Sequence, residues 1–192
     1  NMDNDMGMDI VRFAEDTGYF TRLFGNHPHI INEKAQNLQK AADLFQKRFG
    51  NQAAGKKPVL ISVPNRVELM GKHTDYQGGT TFLLTGPKNF FAITIPASDG
   101  ISELVNADRD LGDTKLKINR YDPVMLESGV GGEYTQRVVE RLSRNLLEAG
   151  LPPLLDVKAV FIGDVPFGGG TSGSSSKVIL SLIHISEPTR PL

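Results

Sequence analysis

Ile31, Ala35, Leu38, Ala42, Phe45 and Phe49 recur at alternating steps of four and three, which winds one apolar stripe along a helix. Lys47 and Arg48 fall in its last turn, and Gly50 is expected to cap it. A polar spacer, 51–57, leads into Pro58-Val59-Leu60-Ile61-Ser62-Val63, a buried-strand pattern that Pro64 is expected to stop. Thr80–Thr85 and Phe90–Pro96 are rich in β-branched and aromatic residues, and Gly86-Pro87-Lys88-Asn89 between them predicts two strands around a turn. Ile101–Ala107 and Leu116–Ile118 extend the sheet. Tyr134, Val138, Leu142, Leu146 and Ala149 define a second amphipathic helix, closed by Gly150 and Pro152-Pro153. Leu155–Ile162 is a further strand. The order of elements is mixed α+β, with no internal repeat and no heptads.

Composition narrows the picture rather than redirecting it. A chain of 192 residues with 39% hydrophobic and 22% charged residues can bury one core. A formal net charge of −1 gives no reason to expect nucleic acid or a membrane surface as partner. Cysteine is absent, which excludes disulfides and thiolate metal sites. The longest apolar runs are too short to span a bilayer, and the acidic N-terminus is unlike a secretory signal. A cytoplasmic location is expected.

The chemistry concentrates in two places. Pro64 to Gly79 packs Arg66, Lys72, His73, Asp75 and Tyr76 directly after an apolar strand and ends in Gly78-Gly79. Five hydrogen-bonding side chains in so short a run are poor core material and suit a small polar molecule. His73 and Asp75 have no third ligand nearby, so a metal centre there is disfavoured. The second place is Gly163 to Ser176. A glycine-rich turn between a strand and a helix exposes backbone N–H groups at a positive helix terminus, which favours phosphate. The Walker pattern fails because Gly173 is followed by Ser174. Gly168, Gly170 and Gly173 satisfy G-x-G-x-x-G, but the confirming acidic residue would fall at or past the end of the chain.

Together the two motifs resemble the GHMP kinase superfamily, and within it the galactokinase-like branch. Pro64 to Gly79 matches that family's Pro-Gly-Arg-Val-Asn-Leu-Ile-Gly-Glu-His-Thr-Asp-Tyr-Asn-Gly-Gly at most positions. Pro166 to Ser175 is similar to its Pro-x-Gly-x-Gly-Leu-Ser-Ser-Ser phosphate loop. The resemblance implies an α+β fold, a two-layer GHMP kinase N-terminal domain of the ribosomal protein S5 domain 2-like type, over 18–179, after an N-terminal extension, 1–17. It implies an ATP- and Mg2+-dependent sugar kinase that transfers the γ-phosphoryl group to a monosaccharide hydroxyl, the anomeric one. Arg66 would sit beside the catalytic centre. Lys72, His73, Asp75 and Tyr76 would face the sugar. Gly168, Gly169, Gly170, Thr171, Ser172, Gly173, Ser174 and Ser175 would wrap the ATP phosphates, with Ser174 the magnesium ligand.

Three departures qualify the resemblance. Asn65 stands where the family has glycine, and asparagine tolerates unusual backbone angles better than most residues. Lys72 replaces a glutamate that meets the galactose hydroxyls, so the substrate can differ from galactose, and one hypothesis is a sugar bearing a carboxylate, such as a uronic acid. The catalytic aspartate and a third glycine motif lie downstream in the family, so little kinase activity is expected of this chain alone. Residues 180–192 resemble the translation of a sequencing adapter and are expected to be non-native. Two other readings stay open: a non-catalytic sensor of sugar and ATP, and an NAD-dependent dehydrogenase built on G-x-G-x-x-G.

Overall fold

A computed structural model of the chain describes residues 17–71, 77–108, 112–119, 121–129 and 132–165. The four-and-three stripe becomes helix α2, Pro28–Ala53, preceded by a short helix α1, Thr17–Phe24. Pro28 opens α2, where an N–H has no helical partner anyway. Leu38, Ala41, Ala42, Phe45 and Phe49 are buried along it. The helix runs through Gly50 rather than ending there, because Ala53 takes the next step of the stripe and is buried too. The first residues of the polar spacer therefore belong to the helix.

Among the described residues six strands form one sheet: β1 Val59–Met70, β2 Phe82–Pro96, β3 Ser102–Asn106, β4 Thr114–Asn119, β5 Asp122–Glu127 and β6 Val157–Gly163. Their order is β1-β2-β6-β3-β4-β5. All neighbours are antiparallel except β3 and β6, which are parallel. Alternation along β2 sends Phe91, Ile93 and Ile95 to one face, where they meet Phe20, Leu38, Phe45 and Phe49 from α1 and α2. Phe90 and Ala92 point the other way, into a cluster with Val139, Leu154, Val157 and Phe161. Val139 comes from helix α3, Gly132–Glu148. Each fully buried Phe contributes about 1.5–3 kcal/mol, so both faces help hold the sheet. The α+β class is the one expected, and no helix among the described residues is long and apolar enough to cross a membrane.

Several local expectations change. Pro64 does not stop β1, which continues to Met70. As an outermost strand β1 loses little from one missing N–H. Gly86-Pro87-Lys88-Asn89 is no turn between two strands but the middle of one long strand, β2, carrying an irregularity opposite Asn65. In α3 Gly132, Thr135, Val139 and Ser143 are buried, the expected Leu142 and Leu146 pack half-buried against the same cluster, and Tyr134 is exposed. The buried face thus keeps the expected Leu142 and Leu146 but is centred on Val139 rather than running through Tyr134. Gly150 does close the region, with the Leu151 N–H donating to the Leu146 carbonyl at 2.9 Å. Helix α1 and strand β5 were not expected; Pro123 disguises β5, an outermost strand that tolerates it.

Candidate functional site

Of the residues singled out in the sequence, Arg66 is the one the structure describes. It stands on β1 opposite Thr85, just beyond the irregularity. Its side chain is 48% exposed and its guanidinium lies 3.9 Å from the Glu68 carboxylate, two residues along the same face. A pair of that length and exposure holds the guanidinium loosely, leaving it able to meet an anionic group from solvent. Lys72, His73, Asp75 and Tyr76 lie outside the described residues, as do Gly168 to Ser175, including Ser174. No group of three or more His, Cys, Asp or Glu is placed to hold a metal among the described residues.

The described residues do show how the two motif-bearing segments are joined. Where β1 and β2 lose register, Asn65 is nearly enclosed, and its Oδ1 accepts the Lys88 N–H at 3.1 Å. The next residue, Asn89, donates its N–H to the Asp164 carboxylate at 2.7 Å, and the Asp164 N–H returns a bond of 3.2 Å to the Asn89 carbonyl. The Asn89 side-chain amide donates to Ser62 on β1 at 3.0 Å. Asp164 directly follows β6 and stands two residues before the glycine-serine stretch begins at Pro166. A short run of β2 therefore clasps the strand bearing Arg66 on one side and the strand leading to that stretch on the other.

Charge closes the clasp. Lys34, in the first turns of α2, is buried and donates to the Asp164 carboxylate. Its ammonium also lies 5.4 Å from the centre of the Phe24 ring, so α1 covers the pair. Lys88 adds a second ammonium 3.4 Å from Asp164 and 3.0 Å from Glu33. Burial by itself raises the Asp164 pKa. The Lys34 hydrogen bond, the Asn89 N–H and the charges of Lys34 and Lys88 outweigh it, so the carboxyl sits below its ordinary value. Such a carboxylate is a weak base. Its chemistry is to hold position.

Asn65, Lys34, Lys88 and Asp164 were missed as site residues in the sequence. Asn65 was visible as a departure from the family pattern, but its role is that of a side chain in a bulge. Lys34 and Asp164 stand 130 positions apart, and nothing in the hydrophobic pattern pairs them.

The family model for the galactokinase galactose-binding signature matches residues 43–92, which span the end of α2, all of β1 and the start and middle of β2. The galactokinase of Canis lupus familiaris is 28% identical over 150 residues, covering 78% of this chain and 36% of that protein. The galactokinase of Homo sapiens is 28% identical over 153 residues, covering 80% of this chain and 37% of that protein. The chain thus spans little more than a third of the length of these curated relatives. The crystal structure of Lactococcus lactis galactokinase complexed with galactose shares the fold, with a TM-score of 0.59 at 21% identity over 78% of this chain and 37% of that one.

Proposed function

The chain is galactokinase-like, a member of the GHMP kinase superfamily, and from that premise we propose that it builds part of the active site of an ATP-dependent sugar kinase. The reaction is in-line transfer of the ATP γ-phosphoryl group to a monosaccharide hydroxyl, the anomeric one. The observation that carries the reading is the galactose-binding signature over residues 43–92, with Arg66 inside it on a strand tied to the entry of the glycine-serine stretch.

The catalytic work of phosphoryl transfer is positioning and charge stabilisation. Arg66 supplies a loosely paired guanidinium on the sugar side, able to stabilise charge on the transferring group. Lys72, His73, Asp75 and Tyr76 orient the sugar by hydrogen bonds. Backbone N–H groups of Gly168 to Ser175 receive the phosphates of ATP. The hydroxyl of Ser174 is a hard oxygen donor of the kind Mg2+ takes, and bound Mg2+ offsets phosphate charge there. The location proposed is the cytoplasm. The domain proposed spans 18–179, with 1–17 an extension and 180–192 a non-native tail.

The dinucleotide reading of Gly168, Gly170 and Gly173 calls for a mostly parallel sheet. Here β6, which leads to that stretch, is antiparallel to β2, and β3–β6 is the parallel pair among the described residues.

Lys72 stops the substrate from being named as galactose, and one candidate suited to its ammonium is a sugar bearing a carboxylate. The test is a sugar panel with ATP and Mg2+ on the complete open reading frame, beside galactose and galacturonate titrations of this chain. Turnover of a sugar supports the kinase, and preference for galacturonate supports the role of Lys72. Binding of sugar and ATP without turnover establishes the sensor instead. Galactose turnover with no response to galacturonate overturns the carboxylate assignment.

A further inference from the structure

The register of β1 against β2 runs from Pro64 opposite Asn89 directly to Arg66 opposite Thr85. Asn65 alone therefore faces Gly86, Pro87 and Lys88, an asymmetric bulge. A polar side chain that is only 3% exposed needs partners, and Asn65 Oδ1 takes the Lys88 N–H at 3.1 Å. The opposite side of the bulge is shaped to receive it. A β-carbon built on Gly86 would lie 2.9 Å from Asn65 Cγ and closer still to Oδ1 and Nδ2. The atoms in the way belong to an enclosed side chain held by a hydrogen bond, so they cannot swing clear cheaply.

We propose that Asn65 and Gly86 are a matched pair, the amide of one filling the space a β-carbon would need at the other, and that the pair positions Arg66. The amide supplies in one side chain what the bulge lacks, a filler and an acceptor. It pins the three-residue side of the bulge, and Arg66 emerges from the one-residue side in register with Thr85. Asn65 is thus a positioning residue acting through Arg66, which rests on the sugar-kinase reading of Arg66. The pairing itself does not. A side chain at 65 and a bare backbone at 86 are one choice, and changing either alone breaks the bulge.

The experiment is a stability cycle on the full chain with Asn65→Ala, Gly86→Ala and the double variant. Gly86→Ala lowers Tm by roughly 4–10 °C, the range for overpacking in a domain of this size. Asn65→Ala lowers it by roughly 2–6 °C through the lost acceptor. The double variant stays within about 2 °C of Asn65→Ala, because the new methyl enters vacated space. Losses that add overturn the pair. If Gly86→Ala fails to fold, a double variant that folds as Asn65→Ala does supports the pair and an unfolded one overturns it.

Two readouts isolate position from stability. Amide exchange at Lys88 quickens at least about 10-fold in Asn65→Ala, while Asn65→Asp, which keeps an acceptor, restores protection. Cross-strand NMR contacts between Arg66 and Thr85 persist in the double variant and are lost in Gly86→Ala. If they survive Gly86→Ala unchanged, the positioning role falls. Galactose and galacturonate titrations of the unaltered chain read the other question separately: binding of neither beside a non-additive cycle sinks the sugar reading and leaves the pair as a register lock.

Discussion

Among the described residues two lysines are almost wholly buried, one near each end of β6, and their surroundings differ in kind. At the start of the strand Lys158 reaches Asp99 at 2.8 Å and Glu103 at 3.8 Å, with Asp99 47% exposed. Lys158 is itself enclosed, and of its two partners Asp99 opens to water while Glu103 is mostly covered. Just past the other end, Lys34 meets Asp164, whose side chain is 10% exposed and already takes a backbone N–H and a second ammonium. The first arrangement is an enclosed lysine with one partner open to water. The second draws α2, β2 and the end of β6 to one point. A buried ion pair is a poor source of net stability, because desolvation offsets attraction. We read its placement beside the glycine-serine stretch as serving geometry.

The contrast is broken most directly at Asp164. Asp164→Ala strands a buried ammonium and is expected to cost about 3–5 kcal/mol by urea denaturation; a loss under about 1 kcal/mol would put the two ends on a par. Lys34→Met comes next, at about 1–3 kcal/mol, because Asp164 keeps Lys88 and the Asn89 N–H while the stem volume is largely retained. Should Lys34→Met prove costlier than Asp164→Ala, the lysine rather than the carboxylate is the hub.

Acid sharpens the same point. The folded Asp164 pKa is lowered from an unfolded value of about 3.9, so the unfolded chain binds the proton more readily. The stabilisation from this group is present above that value and is lost as pH falls through the folded pKa. Urea midpoints between pH 6 and pH 3 should fall less steeply in Asp164→Asn than in the unaltered chain. Parallel curves would remove Asp164 from the account. The smallest effect is expected at Asp99→Ala, under about 1 kcal/mol, since water replaces much of what the exposed carboxylate gives Lys158. A loss matching that at Asp164 would abolish the distinction between the ends.

How much of this was legible in the sequence follows from what each feature depends on. The stripe of α2 is periodic, the strands at 90–96 and 157–163 are short apolar runs rich in β-branched and aromatic residues, and such local signals are enough to read them. Gly150 is legible for the same local reason. Pro64 and Gly86-Pro87 misled because their meaning depends on a neighbour. A proline ends an inner strand but is tolerated in an outermost one, and a Gly-Pro pair is a turn unless another strand lies beside it. The site divides likewise. Arg66 is readable in its motif, whereas the clasp of Asn65, Lys88, Asn89, Asp164 and Lys34 exists once three separate elements have met.

The position of β6 also sets an order of events. It lies between β2 and β3 in the sheet, yet it is made after β1 to β5 and α3. Until residues 157–163 have been made, no described strand joins β1–β2 to β3–β4–β5 in the sheet. The slot between them is filled when residues 157–163 appear and pair with both at once. Closure is a long-range event, of the kind that slows folding and leaves strand edges exposed meanwhile. The same short segment that completes the sheet carries the chain to Asp164, so assembly of the core and of the clasp is a single late step.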